Sequence, residues 1–266
     1  MTASASRPVL PAPRTSLSYH VLARLAMTPI WLQRWRLDVE GLEHVPRTGG
    51  AVMVLNHTSF VDFFTAARLP FLRLGRPVRI LAKASLFRSR LIGPFMRAAG
   101  HIPVERGAGR SALTAGVEAL RRGEFIGILP EQTISPSLEL LPFKSGAVRM
   151  AQAAGVPVVP AISWGSHRFW TTGDGPHLTW RLPVHIRFAP PVVPEGDPDA
   201  FTARIRTLMA EMLEDVQRRY RDGMPEGARW VPARFGGSAP TVEQAEERLS
   251  RLRSSWGRST RPEEDA

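Results

Sequence analysis

The 266-residue chain contains no cysteine. That absence excludes disulfide frameworks, thiolate zinc sites and a cysteine nucleophile, and it suits a reducing compartment. Lysine is scarce as well: the 35 basic residues comprise 33 Arg and two Lys, set against 24 acids, for a formal net charge of +11. No uninterrupted apolar run reaches the roughly 18 residues that a membrane-crossing helix needs. No secretory leader is expected, because His20 and Arg24 break the apolar stretch 17–32 and no small-residue cleavage site follows it. The chain also lacks a Gly-x-Ser-x-Gly elbow, zinc-ligand spacing and an aromatic RNA-binding signature. Serine hydrolase chemistry and nucleic-acid recognition are therefore disfavoured, and no nucleic acid is expected among the partners.

What is present is enough for a full core. Hydrophobic residues make up 43% of the chain, sufficient for one domain of ordinary size. The positive charge is unevenly placed. Residues 1–37 carry five Arg and no acid, and eight basic residues with no acid lie between Asp62 and Glu105. Both stretches are interleaved with apolar side chains, a pattern suited to an anionic bilayer surface. Within 16–36, Ser16, His20, Arg24 and Thr28 fall on one helical face, and Leu17, Val21, Leu22, Leu25 and Leu32 spread over the other. Pro29 should kink this helix, and Trp31 and Trp35 beside Arg34 and Arg36 suit a headgroup layer. The competing reading is a helix packed on its own domain. Residues 1–15 are read as disordered, 16–36 as an amphipathic membrane-associating segment, 37–222 as the main domain and 223–266 as a charged, partly helical tail.

Apolar runs at 51–55, 78–82, 102–105, 125–129, 156–163 and 184–188 predict strands. Helical periodicity predicts helices at 60–69, 86–99, 110–122, 145–154 and 199–221, with a further one at 242–252. The alternation predicts an α/β domain with a mixed, mostly parallel sheet flanked by helices. His57, Lys83, Arg106 and Glu131 each follow a predicted strand. Ligands of open α/β sheets bind beyond the carboxyl ends of the strands, so these four are candidates for one site.

Four blocks carry chemistry. In Asn56-His57-Thr58-Ser59-Phe60-Val61-Asp62, a carboxylate that holds one imidazole nitrogen protonated would leave the other free to take a proton from a hydroxyl. On a regular helix the two side chains would diverge, so the pair requires a turn at His57, for which Ser59 is a candidate N-cap. The competing reading is that Asp62 only caps the helix. Gly100-His101-Ile102-Pro103-Val104-Glu105-Arg106 ends on a guanidinium able to fork onto a phosphate. Leu129-Pro130-Glu131-Gln132-Thr133-Ile134-Ser135 runs from a strand into a polar loop and leads to Lys144 and Ser145, where the free amides of a helix start favour an anion. Glu131 could equally be a structural carboxylate. Val156-Pro157-Val158-Val159-Pro160 bears no reactive group and reads as core strand or as an apolar wall.

The order of these blocks resembles the glycerolipid acyltransferase family, whose pattern is Asn-His-x4-Asp, Gly-x-Ile-x-Val-x-Arg, Pro-Glu-Gly-Thr-Arg-Ser and Val-Pro-Val-x-Pro. The likeness extends from about residue 39 to 191. It implies an acyltransferase of the 1-acylglycerol-3-phosphate type, acting at the cytoplasmic face of the cell membrane as a peripheral or monotopic protein. His57 would be the base, Asp62 its orienter, and Arg106, Glu131 and Thr133 part of the acceptor site, with Lys83 and Lys144 as further substrate-binding candidates. The resemblance implies no metal and no bound cofactor. Acyl-CoA or acyl carrier protein would be the donor, lysophospholipid the acceptor and phosphatidic acid the product. The chain departs from the pattern at Gln132 and Ile134, which replace the family's Gly and Arg. Loss of that cation leaves open another lysolipid, glycolipid or amino-lipid acceptor, and beyond these a non-catalytic basic membrane-binding protein.

Overall fold

A computed structural model describes residues 32–105 and 109–259, together with Val21 and Thr28. The expectations for residues 1–20, 22–27 and 29–31 lie outside the described residues, as does Arg106; Trp35, expected in a headgroup layer, is instead buried in the core against Phe169.

The strands are β1 (Arg36–Glu40), β2 (Ala51–Leu55), β3 (Val78–Lys83), β4 (Ile102–Val104), β5 (Phe125–Ile128), β6 (Val158–Trp164) and β7 (Pro183–Phe188). They form one seven-stranded sheet in the order β1-β7-β6-β2-β5-β3-β4. Every neighbouring pair is parallel except β6 and β7. The helices are α1 (Asp62–Leu74), α2 (Ala84–Arg88), α3 (Gly93–Ala98), α4 (Gly109–Arg121), α5 (Gly146–Ala154), α6 (Pro198–Arg218) and α7 (Val242–Ser259). The mixed, mostly parallel α/β sheet flanked by helices is thus the fold of this chain. Among the described residues no helix is long and apolar enough to cross a membrane.

Strand alternation divides the core in two. Val52 and Val54 of β2 join Ile126, Val158 and Ile162 in a layer packed by α4, α5 and α6. Ala51, Met53 and Leu55 face the opposite way, into a layer with Phe125, Val184 and Ile186 that is covered by Ala66 and Leu69 of α1 and by Trp35. β2 and β5 are neighbours, yet α1 leaves β2 on one face and α5 follows β5 on the other. Such a reversal opens a crevice at the carboxyl ends of the two strands.

Four elements differ from the sequence expectation. β1 was not predicted because it is an edge strand of alternating charge whose residues are all partly or fully exposed, so it carries no apolar run. α1 passes through Pro70 to a left-handed Gly75, where the expected helix stopped at 69. Proline forfeits one hydrogen bond, and the burial of Leu69, Pro70 and Phe71 offsets it. The single helix expected over 86–99 is two short ones, because Pro94 lacks an N–H and starts a new helix. Part of the tail past 222 packs on the main domain: Val231, Ala239 and Ala245 are buried, and Ala239 lies in the layer formed with α4, α5 and α6.

Candidate active site

β2 ends at Leu55, and the next two residues determine how the chain turns. Asn56 is fully buried; its Nδ2 donates to the Ser163 carbonyl at 3.0 Å and its Oδ1 accepts the Ser163 N–H at 2.7 Å. One side chain thus continues the ladder between β2 and β6 by one rung. His57 is held by its backbone on both sides. Its N–H donates to Glu131 Oε1 at 2.8 Å, and its carbonyl accepts the Ser135 N–H at 2.8 Å. The loop after β5 therefore grips the peptide units flanking the candidate base.

The turn expected at His57 forms, though not as a Ser59 N-cap. Val61 occupies the cap position without a side-chain bond, and Asp62 is the first residue of α1. Ser59 Oγ accepts the Val61 N–H at 3.2 Å and faces the carbonyls of Trp170 and Ser166 at 2.7 and 3.1 Å. Asp62, fully buried, folds back over the turn. Its Oδ2 accepts the N–H groups of Thr58 at 2.7 Å and Ser59 at 2.6 Å, and the same oxygen lies 3.6 Å from His57 Nδ1. Asp62 thus secures the turn ahead of α1, rather than capping that helix, and faces the imidazole at once. At 3.6 Å the contact is electrostatic rather than a hydrogen bond, and such contacts commonly tighten only when substrate binds. His167 also lies near Asp62, but it is buried against Trp164 with its Nε2 3.0 Å from the Trp230 carbonyl. Burial pushes its pKa down to about 4. His57 instead keeps 17% of its side chain exposed, enough to meet a substrate.

Glu131 is 3% exposed, and both of its oxygens accept backbone N–H groups: Oε1 from His57 and Oε2 from Leu141 at 3.0 Å. Burial pushes this carboxyl up to about 8, against the pull of the two N–H donors and with a small further rise from Asp62. Both oxygens are thus occupied by backbone donors, one of them the peptide N–H of His57. Lys144 is exposed and lines a cavity of about 480 Å³ with Gln132. The rest of that lining includes Phe63, Phe64, Leu113, Leu129 and Met150, so the cavity is chiefly apolar. Gly127 also lines it, and a Cβ there would stand 2.5 Å from the Phe63 ring. Thr133 is half-buried in the loop after β5, and Lys83 is exposed at the end of β3, separated from β2 by β5.

Gln132 and Ile134 now have a structural meaning. Gln132 sits at φ 61°, the left-handed region where glycine is unstrained. Ile134 is 7% exposed. An Arg substituted there would carry its charge into a buried position. Sequence reasoning assigned no role to Ser166, whose hydroxyl donates to Asp62 Oδ1 at 2.5 Å from 104 residues away. Nothing local signals a contact at that separation. Among the described residues no group of three or more His, Asp or Glu could hold a metal.

An imidazole facing a buried carboxylate at the carboxyl end of β2 is an arrangement able to take a proton from a hydroxyl. The chain belongs to the glycerolipid acyltransferase family, whose family model, Acyltransferase, matches residues 36–164. It is 32% identical over 143 residues to the 1-acyl-sn-glycerol-3-phosphate acyltransferase of Bacillus subtilis, covering 53% of this chain and 68% of that protein. It is 33% identical over 160 residues to the chloroplastic 1-acyl-sn-glycerol-3-phosphate acyltransferase BAT2 of Brassica napus, where the match spans 59% of this chain and only 45% of the relative. The fold is that of the crystal structure of the 1-acyl-sn-glycerophosphate (LPA) acyltransferase PlsC from Thermotoga maritima, with a TM-score of 0.63 at 22% identity over 76% of this chain and 80% of that one.

Proposed function

We propose that the protein transfers a fatty acyl group from a thioester, acyl-CoA or acyl carrier protein, to the free hydroxyl of 1-acylglycerol-3-phosphate, giving phosphatidic acid. The observation that carries this reading is His57 Nδ1 facing the buried Asp62 carboxylate. In that orientation Nδ1 keeps its proton and Nε2 takes the proton of the acceptor hydroxyl. The oxygen attacks the thioester carbonyl, the tetrahedral intermediate expels the thiolate, and the imidazolium returns its proton to that sulfur. Asp62 stabilises the imidazolium between these steps. The apolar cavity suits an acyl chain, and Lys144 on its lining offers a charge to a phosphate. The net charge of +11 supports action at an anionic membrane surface, peripherally and on the cytoplasmic side.

The absence of a cation at 134 favours a second reading: the same chemistry on a lysolipid, glycolipid or amino-lipid without that phosphate. One experiment addresses both. Protein is incubated with anionic vesicles carrying lysophosphatidate or a neutral monoacylglycerol and with either donor. Product mass and co-sedimentation, at low and high salt, are then read together. Phosphatidic acid formation is expected, with vesicle binding that weakens as salt rises. His57→Ala should abolish transfer, and Asp62→Asn should lower it by roughly 10²–10⁴. Equal use of the neutral acceptor would favour the second reading, and near-normal transfer by both mutants would remove the mechanism.

A further inference from the structure

We infer that Ser166 is a positioning residue for this reaction: by holding Asp62 Oδ1, its hydroxyl fixes the plane in which Oδ2 faces His57. The inference rests on the proposed role of the His57–Asp62 pair. Asp62 and Ser166 are both fully buried, so the carboxylate has no water to complete its hydrogen bonding. Three donors reach it. Thr58 N–H and Ser59 N–H both bind Oδ2, the oxygen that also faces His57 Nδ1, and the Ser166 hydroxyl alone binds Oδ1 at 2.5 Å. The two backbone donors come from the turn that carries His57 itself, so they move with the imidazole. Ser166 comes from the turn after β6 and, among the described residues, is the one hydrogen-bond donor that ties the carboxylate to a separate element.

The place of that hydroxyl is over-determined. Gly165, at φ 100°, turns the chain out of β6, and a Cβ there would lie 2.3 Å from the Pro183 carbonyl and 2.8 Å from the Tyr220 hydroxyl. The Asn56–Ser163 pair locks the end of β6 to the end of β2 just before this turn. The Ser166 carbonyl in addition accepts from Ser59 Oγ at 3.1 Å. Without the hydroxyl, Oδ1 would be an unpartnered carboxylate oxygen in a dry site, and the carboxylate would swing about its Cβ–Cγ bond to find another donor. Oδ2 would then leave the line to Nδ1. Substrate binding, which involves other residues, would be untouched.

Ser166→Ala is therefore expected to lower kcat about tenfold, the effect of one lost hydrogen bond to a charged group, with KM for donor and acceptor unchanged. In protein with isotope-labelled histidine, the His57 Nδ1–H signal, identified by its absence from His57→Ala, should shift in Ser166→Ala. That spectrum needs no substrate, so it tests the contact even if the protein proves to use another acceptor or none. Ser166→Cys, nearly the same size but a weaker donor, should show the same changes to a smaller extent. It also serves if the alanine variant does not fold. An unmoved His57 signal in a folded variant, or a rise in KM with kcat unchanged, would overturn the inference.

Discussion

At the scale of single residues, the site consists of one partly exposed imidazole and several buried groups that hold it. Glu131 is the clearest case. Its carboxyl is raised from 4.5 to about 8 by burial, so between those values the folded protein holds a proton that the unfolded chain has lost. The associated stability is complete below about 4.5 and disappears as pH rises through about 8. The thermal midpoint of the wild type should therefore decline over that interval, and Glu131→Gln should remove this part of the decline. The glutamine would also point an amide donor at either the His57 or the Leu141 N–H. That clash costs about 1–3 kcal/mol and lowers the midpoint at every pH. Parallel pH–stability curves for the two proteins would show that Glu131 does not titrate in this range.

At the scale of elements, two connections do most of the positioning. The loop between β5 and α5 holds the His57 backbone from one side and supplies Gln132 and Lys144 to the cavity. The turn after β6 brings Ser166 from the other side. α5 also begins on the cavity wall, where a Cβ on Gly146 would meet nothing within 4 Å. A larger side chain there fills the cavity without disturbing the helix. Gly146→Leu is expected to reduce transfer of long acyl chains relative to short ones by ~10-fold, equivalent to about 1.4 kcal/mol. Competition between donors of different length, analysed by product mass, measures this. An unchanged preference would mean that the acyl chain lies elsewhere.

At the scale of the molecule, the sheet and its last elements form one packed body. The segment following α6 lies over the turn that contains Ser166. The Trp230 carbonyl meets His167 Nε2, the Trp230 ring lies 4.1 Å from the Arg168 guanidinium carbon, and Val231 is fully buried. Removing residues 223–266 should therefore uncover Trp164 and His167 and destabilise the protein by at least ~3 kcal/mol, through lost apolar burial and cation–π contact. Urea unfolding of the truncated chain measures this. A midpoint equal to that of the full chain would make the tail a dispensable appendage.

The sequence by itself determined the α/β alternation, six of the seven strands to within about two residues, and the His57–Asp62 spacing. Each of these is local: strand runs and helix periods depend on neighbours in the chain, and a pair five residues apart needs only one turn. The sequence also showed that Gln132 and Ile134 depart from the family pattern, but not what they do there. Tertiary structure alone decided that Gln132 is left-handed and Ile134 is core, that Glu131 grips the His57 backbone, and that Ser166 reaches Asp62. It likewise added β1 to the sheet edge and packed part of the tail on the main domain. The two site contacts join residues separated by 74 and 104 positions, Glu131 with His57 and Ser166 with Asp62. Hydrogen-bond donors and acceptors are common to most residues, so which of them meet across such distances is settled by the packing of the sheet and not by any pattern along the chain.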